Sequence, residues 1–98
     1  MNKLILFITL LLLTSVSAAL TVPGTPGVDY PNYTELPDTS FDCKKQQYPG
    51  YYADPETRNQ AFYICQADGR QNGYLCPVGT VFDQTYFVCN LWNEVNPQ

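Results

Sequence analysis

FYICQADGRQNGYLC, residues 62–76, contains two short apolar runs joined by a polar, glycine-containing segment. Residues 62–65 favour β-strands, and residues 74–76 resume the strand pattern. The segment between them, residues 67–73, contains an Asp-Gly and an Asn-Gly pair, and glycine permits the positive φ angles that tight reversals need. The sequence therefore predicts a β-hairpin at the centre of the fold.

Further short strands are predicted on both sides of this hairpin. Residues 80–82 and 86–89 flank a polar turn and predict a second hairpin, and residues 51–53 predict an additional strand. Residues 90–95 are predicted to form one helical turn, and no amphipathic helix of useful length is found. The predicted class is small, disulfide-rich and all-β, with a short N-terminal sheet plus β-hairpins.

Four cysteines lie in the same part of the chain, at positions 43, 65, 76 and 89. The sequence contains no histidine, so a structural zinc site would need four thiolates at unusual spacings, and no metal or cofactor is predicted. In an oxidising compartment an even number of cysteines indicates disulfides, and four cysteines allow three pairings. A unit this small needs such crosslinks because its hydrophobic core is limited.

The N-terminal residues have the pattern of a secretory signal. A basic start is followed by ten residues, 4–13, that are apolar or threonine, and then by small residues. A signal peptide over residues 1–18 is predicted, with cleavage after Ala18 or after Ala19. The alternative, a transmembrane anchor, is disfavoured because ten residues at 1.5 Å each do not cross about 30 Å of hydrocarbon. The mature protein is expected to be secreted and extracellular, with no membrane contact.

Residues 19–40 contain four prolines and two glycines and have no hydrophobic periodicity. Proline removes a backbone donor and restricts the preceding residue, so this segment is predicted to be a disordered, extended linker. The folded domain is expected over residues 41–98. Within the linker, Asn32-Tyr33-Thr34 is a sequon, and Asn32 is a candidate glycosylation site.

Charge and composition exclude several functions. Loss of Lys3 with the leader leaves four basic residues against nine acidic ones, so neither nucleic acid nor an anionic membrane is an expected partner. The absence of histidine removes the commonest general base. Asp54, Glu56, Asp68 and Asp83 all lie in turn sequences, and the chain is too short to form an enzyme pocket around them. No catalytic residue is assigned, and the protein is predicted not to be an enzyme.

Aromatic residues are unusually frequent in the predicted domain. Residues 41–98 contain eleven aromatic side chains but seven isoleucine, leucine and valine residues. So small a fold cannot bury every ring, and exposed rings suit the flat C–H faces of pyranose sugars. The rings expected at the surface are Tyr52, Tyr63, Tyr74 and Trp92. The rings expected in the core are Phe62, Phe82 and Phe87.

Two runs carry a resemblance to a known family. GYYADPETRNQAFYIC, residues 50–65, and CPVGTVFDQTYFVCNLW, residues 76–92, resemble the type-2 chitin-binding domain, also called the peritrophin-A domain. The resemblance spans residues 41 to about 97 and is greatest to the single-domain arthropod cuticular proteins analogous to peritrophins. It implies a hevein-like core hairpin, and chitin or chito-oligosaccharide as the partner.

The resemblance also selects one cysteine pairing. The family has six cysteines, paired first with third, second with sixth, and fourth with fifth. The four present here correspond to the first, third, fourth and fifth. The implied disulfides are therefore Cys43–Cys65 and Cys76–Cys89. By register the two missing cysteines fall on Asn59 and Pro97. These two positions are bonded to each other in the family, so their loss removes one whole disulfide. A looser chain end is therefore expected after Trp92.

By position, the resemblance places the chitin-binding residues on and near the central hairpin. Tyr63 is the leading candidate, because an aromatic residue next to the strand phenylalanine is a family feature. The complete predicted set is Tyr52, Tyr63, Asp68, Asn72, Tyr74 and Trp92. The predicted function is that of a secreted, monomeric, non-catalytic protein that binds chitin of cuticle or peritrophic matrix by aromatic stacking.

One alternative function stays open, namely a small disulfide-rich secreted protease inhibitor or host-interaction protein that has lost chitin binding. Its trypsin-like recognition site would be Arg58, Arg70 or the Lys44-Lys45 pair. The simpler explanation of these basic residues is solubility.

Overall fold

The computed structural model describes residues 21–96, so the expected signal peptide lies outside the described residues. Two antiparallel sheets make up the fold. The first contains Gly50–Ala53 (β1), Ala61–Cys65 (β2) and Gln71–Leu75 (β3) in the order β1-β2-β3. The second contains Thr80–Asp83 (β4) and Val88–Leu91 (β5). The predicted all-β class is confirmed.

Helical structure within residues 21–96 is limited to two single 3₁₀ turns, Cys43–Lys45 and Pro55–Thr57. Asp42 begins the first turn and Asp54 begins the second. In each turn the aspartate carboxylate accepts a hydrogen bond from the backbone amide two residues further on, at 2.9 and 3.0 Å. These side chains satisfy amides that the short helices leave without partners.

The central hairpin forms as predicted, but its reversal is shorter than expected. It covers residues 66–70, and it is closed by a hydrogen bond from the Gln66 amide to the Arg70 carbonyl at 2.9 Å. Gly69 supplies the positive φ angle, +90°. Asn72 and Gly73, expected in the loop, belong to β3, where Gly73 lies opposite Tyr63.

The second hairpin differs from the prediction at its C-terminal strand. β5 begins at Val88 rather than at residue 86, because Asp83 holds the preceding residues in the turn. The Thr85 amide donates to its carboxylate at 2.9 Å and the Phe87 amide donates to its carbonyl at 2.7 Å. The helical turn predicted over residues 90–95 is wrong, since β5 continues to Leu91 and a non-helical turn follows.

Both predicted disulfides are confirmed, and the described residues contain no free cysteine. Cys43–Cys65, with 5.4 Å between its Cα atoms, ties the first 3₁₀ turn to the end of β2. Cys76–Cys89, at 5.6 Å, ties the residue after β3 to β5. In the chain-entropy model, closing loops of these lengths stabilises the fold by about 3 kcal/mol each.

The two sheets meet at a pair of phenylalanines. The Phe62 and Phe82 rings are stacked with centroids 4.4 Å apart, and Phe82 is 1% exposed. Two backbone hydrogen bonds support this contact, from the Phe82 amide to the Asn59 carbonyl at 2.7 Å and from the Cys76 amide to the Gln60 carbonyl at 2.8 Å. Phe82 is therefore buried, and its predicted position in the core is confirmed.

The opposite face of the three-stranded sheet is also packed. Tyr63 is 4% exposed and stacks on Phe41, with centroids 4.3 Å apart and planes 4° apart. Gly73 permits this packing, because a Cβ built there would lie 2.5 Å from Leu36 and 2.9 Å from the Tyr63 ring. The expectation that Tyr63 lies at the surface is wrong. Gly73 on the neighbouring strand leaves room for the Tyr63 ring, and Phe41 and Leu36 cover it.

Residues 21–40, here called the arm, were expected to form a disordered spacer. The structure gives them no helix or extended strand, but it places them against the domain. The backbone of Tyr33 pairs with the side-chain amide of buried Gln60, which accepts at 2.8 Å and donates at 2.9 Å. The Arg58 guanidinium donates to the carbonyls of Val28 and Asp29 at 3.3 and 3.0 Å. The difference arises because the domain offers polar groups that proline-rich backbone can satisfy.

Further contacts hold the arm on both sides of this region. The Trp92 indole donates to the Pro23 carbonyl at 2.7 Å, and Tyr30, 5% exposed, packs with its centroid 6.0 Å from the Trp92 ring. At the other end of the arm, Ser40 donates its hydroxyl and its backbone amide to Glu56, and these two hydrogen bonds lower the pKa of the Glu56 carboxyl. Because the pKa of Glu56 is lowered in the folded state, its hydrogen bonds with Ser40 stabilise the fold at neutral pH. This stabilisation is lost as the pH falls through the pKa of the folded state.

Substitution of Tyr63 is expected to cost far more stability than substitution of Tyr74. Tyr63→Ala removes a large buried ring, at a cost of about 3–5 kcal/mol, which approaches the whole stability of about 5 kcal/mol for a small domain. Tyr74 is 46% exposed, so Tyr74→Ala is expected to cost about 1 kcal/mol. Urea denaturation under oxidising conditions measures both values. Equal midpoints for the two variants would contradict the buried position of Tyr63.

A second prediction concerns the arm. Tyr30→Ala is expected to lower the free energy of unfolding by about 2 kcal/mol or more, because the ring is buried against the domain. Val28→Ala is the matched control within the arm, since Val28 is 70% exposed and its loss is expected to change stability by less than about 0.5 kcal/mol. Thermal unfolding followed by circular dichroism makes the comparison. If the arm did not contribute to the fold, the Tyr30→Ala and Val28→Ala variants would unfold at the same temperature.

Candidate functional site

The predicted site residues do not form one surface. Tyr63 is buried, and Tyr52 lies on the same face of the sheet, half-buried, with its hydroxyl donating to the Tyr48 carbonyl. Tyr74 lies opposite Phe62 in the strand register and therefore points to the other face. The prediction that Tyr63 and Tyr74 belong to one binding surface is wrong, because the hairpin register puts them on opposite sides of the sheet.

Trp92 and Asp68 are also engaged elsewhere. Trp92 is half-buried and is occupied by the arm through Pro23 and Tyr30. Asp68 lies in the hairpin loop, where it forms a 2.6 Å salt bridge with Arg70 and also accepts the Arg70 amide at 3.1 Å. Of the predicted set, Tyr74 and Asn72 are brought together on one exposed face.

The exposed face carries a chain of neighbouring rings, here called the aromatic row. Strand register places Tyr51, Ile64 and Asn72 in one line across the sheet, and Ala53, Phe62 and Tyr74 in the next line on the same side. The rings of the row, in order of contact, are Tyr74, Phe62, Phe82, Tyr51 and Phe87. Consecutive centroids are separated by 5.5, 4.4, 6.4 and 6.0 Å.

Three rings of the row are open to solvent. Tyr51 is 44% exposed, Tyr74 is 46% exposed and Phe87 is 55% exposed. Phe62 and Phe82 lie beneath them and provide a packed support. The core position predicted for Phe87 is wrong, because the tight turn after Asp83 holds this residue outside the core with a φ of +57°.

A polar network borders the row at Asn72. The Gln66 side-chain amide donates to Asn72 Oδ1 at 2.8 Å, and the Arg70 guanidinium donates to Gln66 Oε1 at 2.9 Å. This network fixes the orientation of Asn72. Within residues 21–96 the Asn72 Nδ2 group has no protein acceptor, so it can donate to a ligand that lies on the row.

The chemistry available at this face is binding of a neutral, flat-sided molecule. Aromatic faces stack against apolar C–H groups, and the tyrosine hydroxyls and the Asn72 amide can meet polar substituents. No residue of the row is charged. Among the described residues no group of histidine, cysteine, aspartate or glutamate side chains could hold a metal ion, and no helix is long and apolar enough to cross a membrane.

Sequence reasoning missed Tyr51 and Phe87. Strand alternation separates Tyr51 from Tyr52, but it does not say which of the two shares a face with Tyr74. That choice depends on two registers: in one Ala53 of β1 lies opposite Phe62, and in the other Phe62 lies opposite Tyr74. Nothing in the sequence indicated that Phe87 is exposed, since its hydrophobic side chain predicted a position in the core.

The remaining predicted positions are placed as follows. Asn32 is exposed in the arm, so its sequon is accessible, and its glycosylation stays a prediction. Asn59 is half-buried beside the Phe62–Phe82 contact, with a φ of +68°. Pro97 lies outside the described residues, so the expected loosening of the chain end stays a prediction.

Comparison with known proteins gives a consistent result. The family model of the chitin-binding peritrophin-A domain matches residues 40–97. The chain is 37% identical over 67 residues to U-scoloptoxin(01)-Er1a of Ethmostigmus rubripes. The aligned segment covers 67% of this chain and 56% of that protein. The chain is 39% identical over 61 residues to U-scoloptoxin(01)-Cw1a of Cormocephalus westwoodi, covering 61% of this chain and 50% of that protein.

The chain thus spans about half the length of these curated relatives. No solved structure matches it. The match to the family model covers more than half of the chain, includes all four cysteines and both sheets, and indicates an extracellular, carbohydrate-binding domain. This protein therefore belongs to the chitin-binding peritrophin-A domain family.

Proposed function

We propose that this protein is a non-catalytic extracellular protein that binds chitin by stacking sugar rings on the aromatic row. The observation that carries the proposal is that Tyr51 and Tyr74 are exposed on the same face of a rigid sheet, together with Asn72. Cuticle and peritrophic matrix are the chitinous materials proposed, and a monomer with one such face is the proposed binding unit.

The physical basis is preorganisation. The Tyr74 ring rests on Phe62 and the Tyr51 ring rests on Phe82, with centroids 5.5 and 6.4 Å apart, so little side-chain freedom remains to be lost when a ligand binds. Tyrosine combines a large apolar face with a hydroxyl that can meet a sugar hydroxyl. The Asn72 amide is aligned by Gln66 and is suited to an acetamido oxygen.

The proposed site keeps two of the six predicted residues, Tyr74 and Asn72, and adds Tyr51. Tyr63 supports the site from the core, through its stack with Phe41, rather than by touching the ligand. Trp92 is proposed to hold the arm. A ligand that binds on the row is therefore expected to leave the environment of the single tryptophan unchanged.

The proposal predicts that Tyr74→Ala and Asn72→Ala weaken retention on colloidal chitin. Loss of the Tyr74 ring removes stacking area, with an expected cost of about 1–2 kcal/mol, or roughly five- to thirtyfold in affinity. Loss of the Asn72 amide removes one hydrogen bond, with an expected cost of about 1 kcal/mol. A depletion assay, competed with soluble chito-oligosaccharide, measures the change.

Tyr48→Ala is the matched control, because Tyr48 is an exposed tyrosine that is not part of the row. Circular dichroism verifies that each variant is folded. Unchanged retention of Tyr74→Ala, or loss of retention in Tyr48→Ala, would place the site elsewhere.

The toxin names of the two relatives favour the second candidate, a small disulfide-rich secreted protease inhibitor or host-interaction protein that has lost chitin binding. Two of its possible basic recognition residues are engaged, because Arg58 binds the arm and Arg70 pairs with Asp68. Lys44 and Lys45 are exposed in the first 3₁₀ turn. A protease inhibition panel run beside the chitin assay distinguishes the candidates, since inhibition without chitin retention supports the second.

A further inference from the structure

The face of the three-stranded sheet opposite the aromatic row is not covered completely. Beside the stack of Phe41 on Tyr63, a groove of about 360 Å³ stays open. It is lined by residues 52–56 together with Ser40, Phe41 and Gln46, and it is here called the acidic groove. Its volume lies at the small end of the range for ligand sites. Strand alternation sets Tyr52 on the side away from Tyr51, so the acidic groove is separate from the row.

Two aromatic rings form adjoining walls of the acidic groove, and both are held in place. Phe41 lies flat on Tyr63, and the Tyr52 hydroxyl donates to the Tyr48 carbonyl. The centroids of Phe41 and Tyr52 are 6.1 Å apart, and the ring planes are inclined by 44°. The face of an aromatic ring attracts a cation, because the ring quadrupole is negative there. The walls therefore favour an apolar group that ends in a positive charge.

The groove also carries negative charge that the described chain does not compensate. Glu56 lies at its exposed rim, where hydrogen bonds from Ser40 lower the pKa of the carboxyl and keep it ionised at neutral pH. Asp54 is 1% exposed, and its carboxylate accepts the Thr39 hydroxyl at 2.6 Å and the Glu56 amide at 3.0 Å. Within residues 21–96 neither side chain forms a salt bridge with a basic group. A cation is therefore the complementary ligand.

We infer that the acidic groove is a docking site for the lysine side chain of a second, basic protein. The aliphatic stem of the lysine lies against Phe41 and Tyr52, and its ammonium group reaches the Glu56 carboxylate. The charge of the whole domain supports this partner, since residues 21–96 contain nine acidic and four basic side chains.

The hydrogen bonds of Glu56 favour lysine over arginine. Ser40 already donates to both carboxylate oxygens, its hydroxyl to Oε1 and its amide to Oε2. This arrangement occupies acceptor positions that an arginine guanidinium needs for two parallel hydrogen bonds. An ammonium group is a compact point charge, and one remaining lone pair is enough for it.

This inference goes beyond the proposed function, because the acidic groove and the row lie on opposite faces of one sheet. A single domain then holds chitin on one face and a basic protein on the other, and it links the two. Only this linking role rests on the proposed function, whereas binding at the groove is independent of it.

A nuclear magnetic resonance titration of the mature chain with the peptide acetyl-Gly-Lys-Gly-amide tests the inference. Saturable shifts are expected at the backbone amides of Tyr52 and Glu56, and none at Asn72 or Tyr74. The same peptide with norleucine keeps the apolar stem but has no charge, and it is expected to cause no saturable shift. The arginine peptide is expected to bind about two- to fivefold more weakly than the lysine peptide.

Three variants locate the site. Glu56→Gln removes the charge but keeps an acceptor for Ser40, and it is expected to lower affinity for the lysine peptide roughly fivefold. Tyr52→Leu keeps an apolar wall but removes the aromatic face, with an expected loss of about two- to fivefold. Glu94→Gln makes the same charge change as Glu56→Gln at an exposed residue outside the groove, and it is expected to match the wild type. Circular dichroism verifies that each variant is folded.

Several results would overturn the inference. Equal shifts with the norleucine peptide would remove the role of the charge. A loss in Glu94→Gln equal to that in Glu56→Gln would reduce the effect to net charge. Shifts at Tyr52 and Glu56 with an oligomer of glucosamine, but not with the lysine peptide, would assign the ammonium group to a deacetylated sugar instead of a protein.

Retention on colloidal chitin, measured on the same samples, separates this inference from the proposed function. Glu56→Gln is expected to be retained as well as the wild type. If the wild type is retained on chitin but does not bind the lysine peptide, the inference is wrong and the proposed function stands. If the wild type binds the peptide at the groove but is not retained, the proposed function is wrong and the docking site stands.

Discussion

The stacked contact between Phe62 and Phe82 is the interaction on which the rest of the structure depends. Phe62 lies in the middle strand of one sheet and Phe82 in the other sheet, and their rings are 4.4 Å apart. The Cys76–Cys89 disulfide and the backbone hydrogen bond from Phe82 to Asn59 also join the two parts of the fold. The ring contact in addition supplies the floor on which Tyr51 and Tyr74 rest.

This arrangement explains how so small a domain uses so many aromatic residues. Each face of the three-stranded sheet stacks rings, but the faces differ in what covers them. On one face Tyr63 is enclosed by Phe41 and by Leu36 of the arm. On the other face the second sheet covers Phe62 and leaves flat side chains exposed. The covered face contributes stability, and the open face is available for a ligand.

Much of the fold follows from the sequence, because it depends on local patterns. The Asp-Gly-containing loop between two strand-forming runs predicted the central hairpin, and the family resemblance gave the disulfide pairing. The site was less predictable, because the face on which a strand residue lies depends on the register. A slip of one residue in the pairing of two strands moves every side chain of one strand to the other face, so Tyr63 and Tyr74 could not be assigned to faces from alternation alone. The contacts of the arm were not predictable either, since proline content excludes regular structure without excluding docking by side chains such as Gln60.

The most direct measurement is an intermolecular nuclear Overhauser experiment on isotopically labelled protein with bound chitotriose. The central claim is that the exposed face supported by Phe62 and Phe82 holds the sugar. It predicts magnetisation transfer from pyranose ring protons to the ring protons of Tyr74 and Tyr51, and none to Tyr63 or Trp92. Transfer to Trp92 or Tyr52 with none to Tyr74 would contradict the claim.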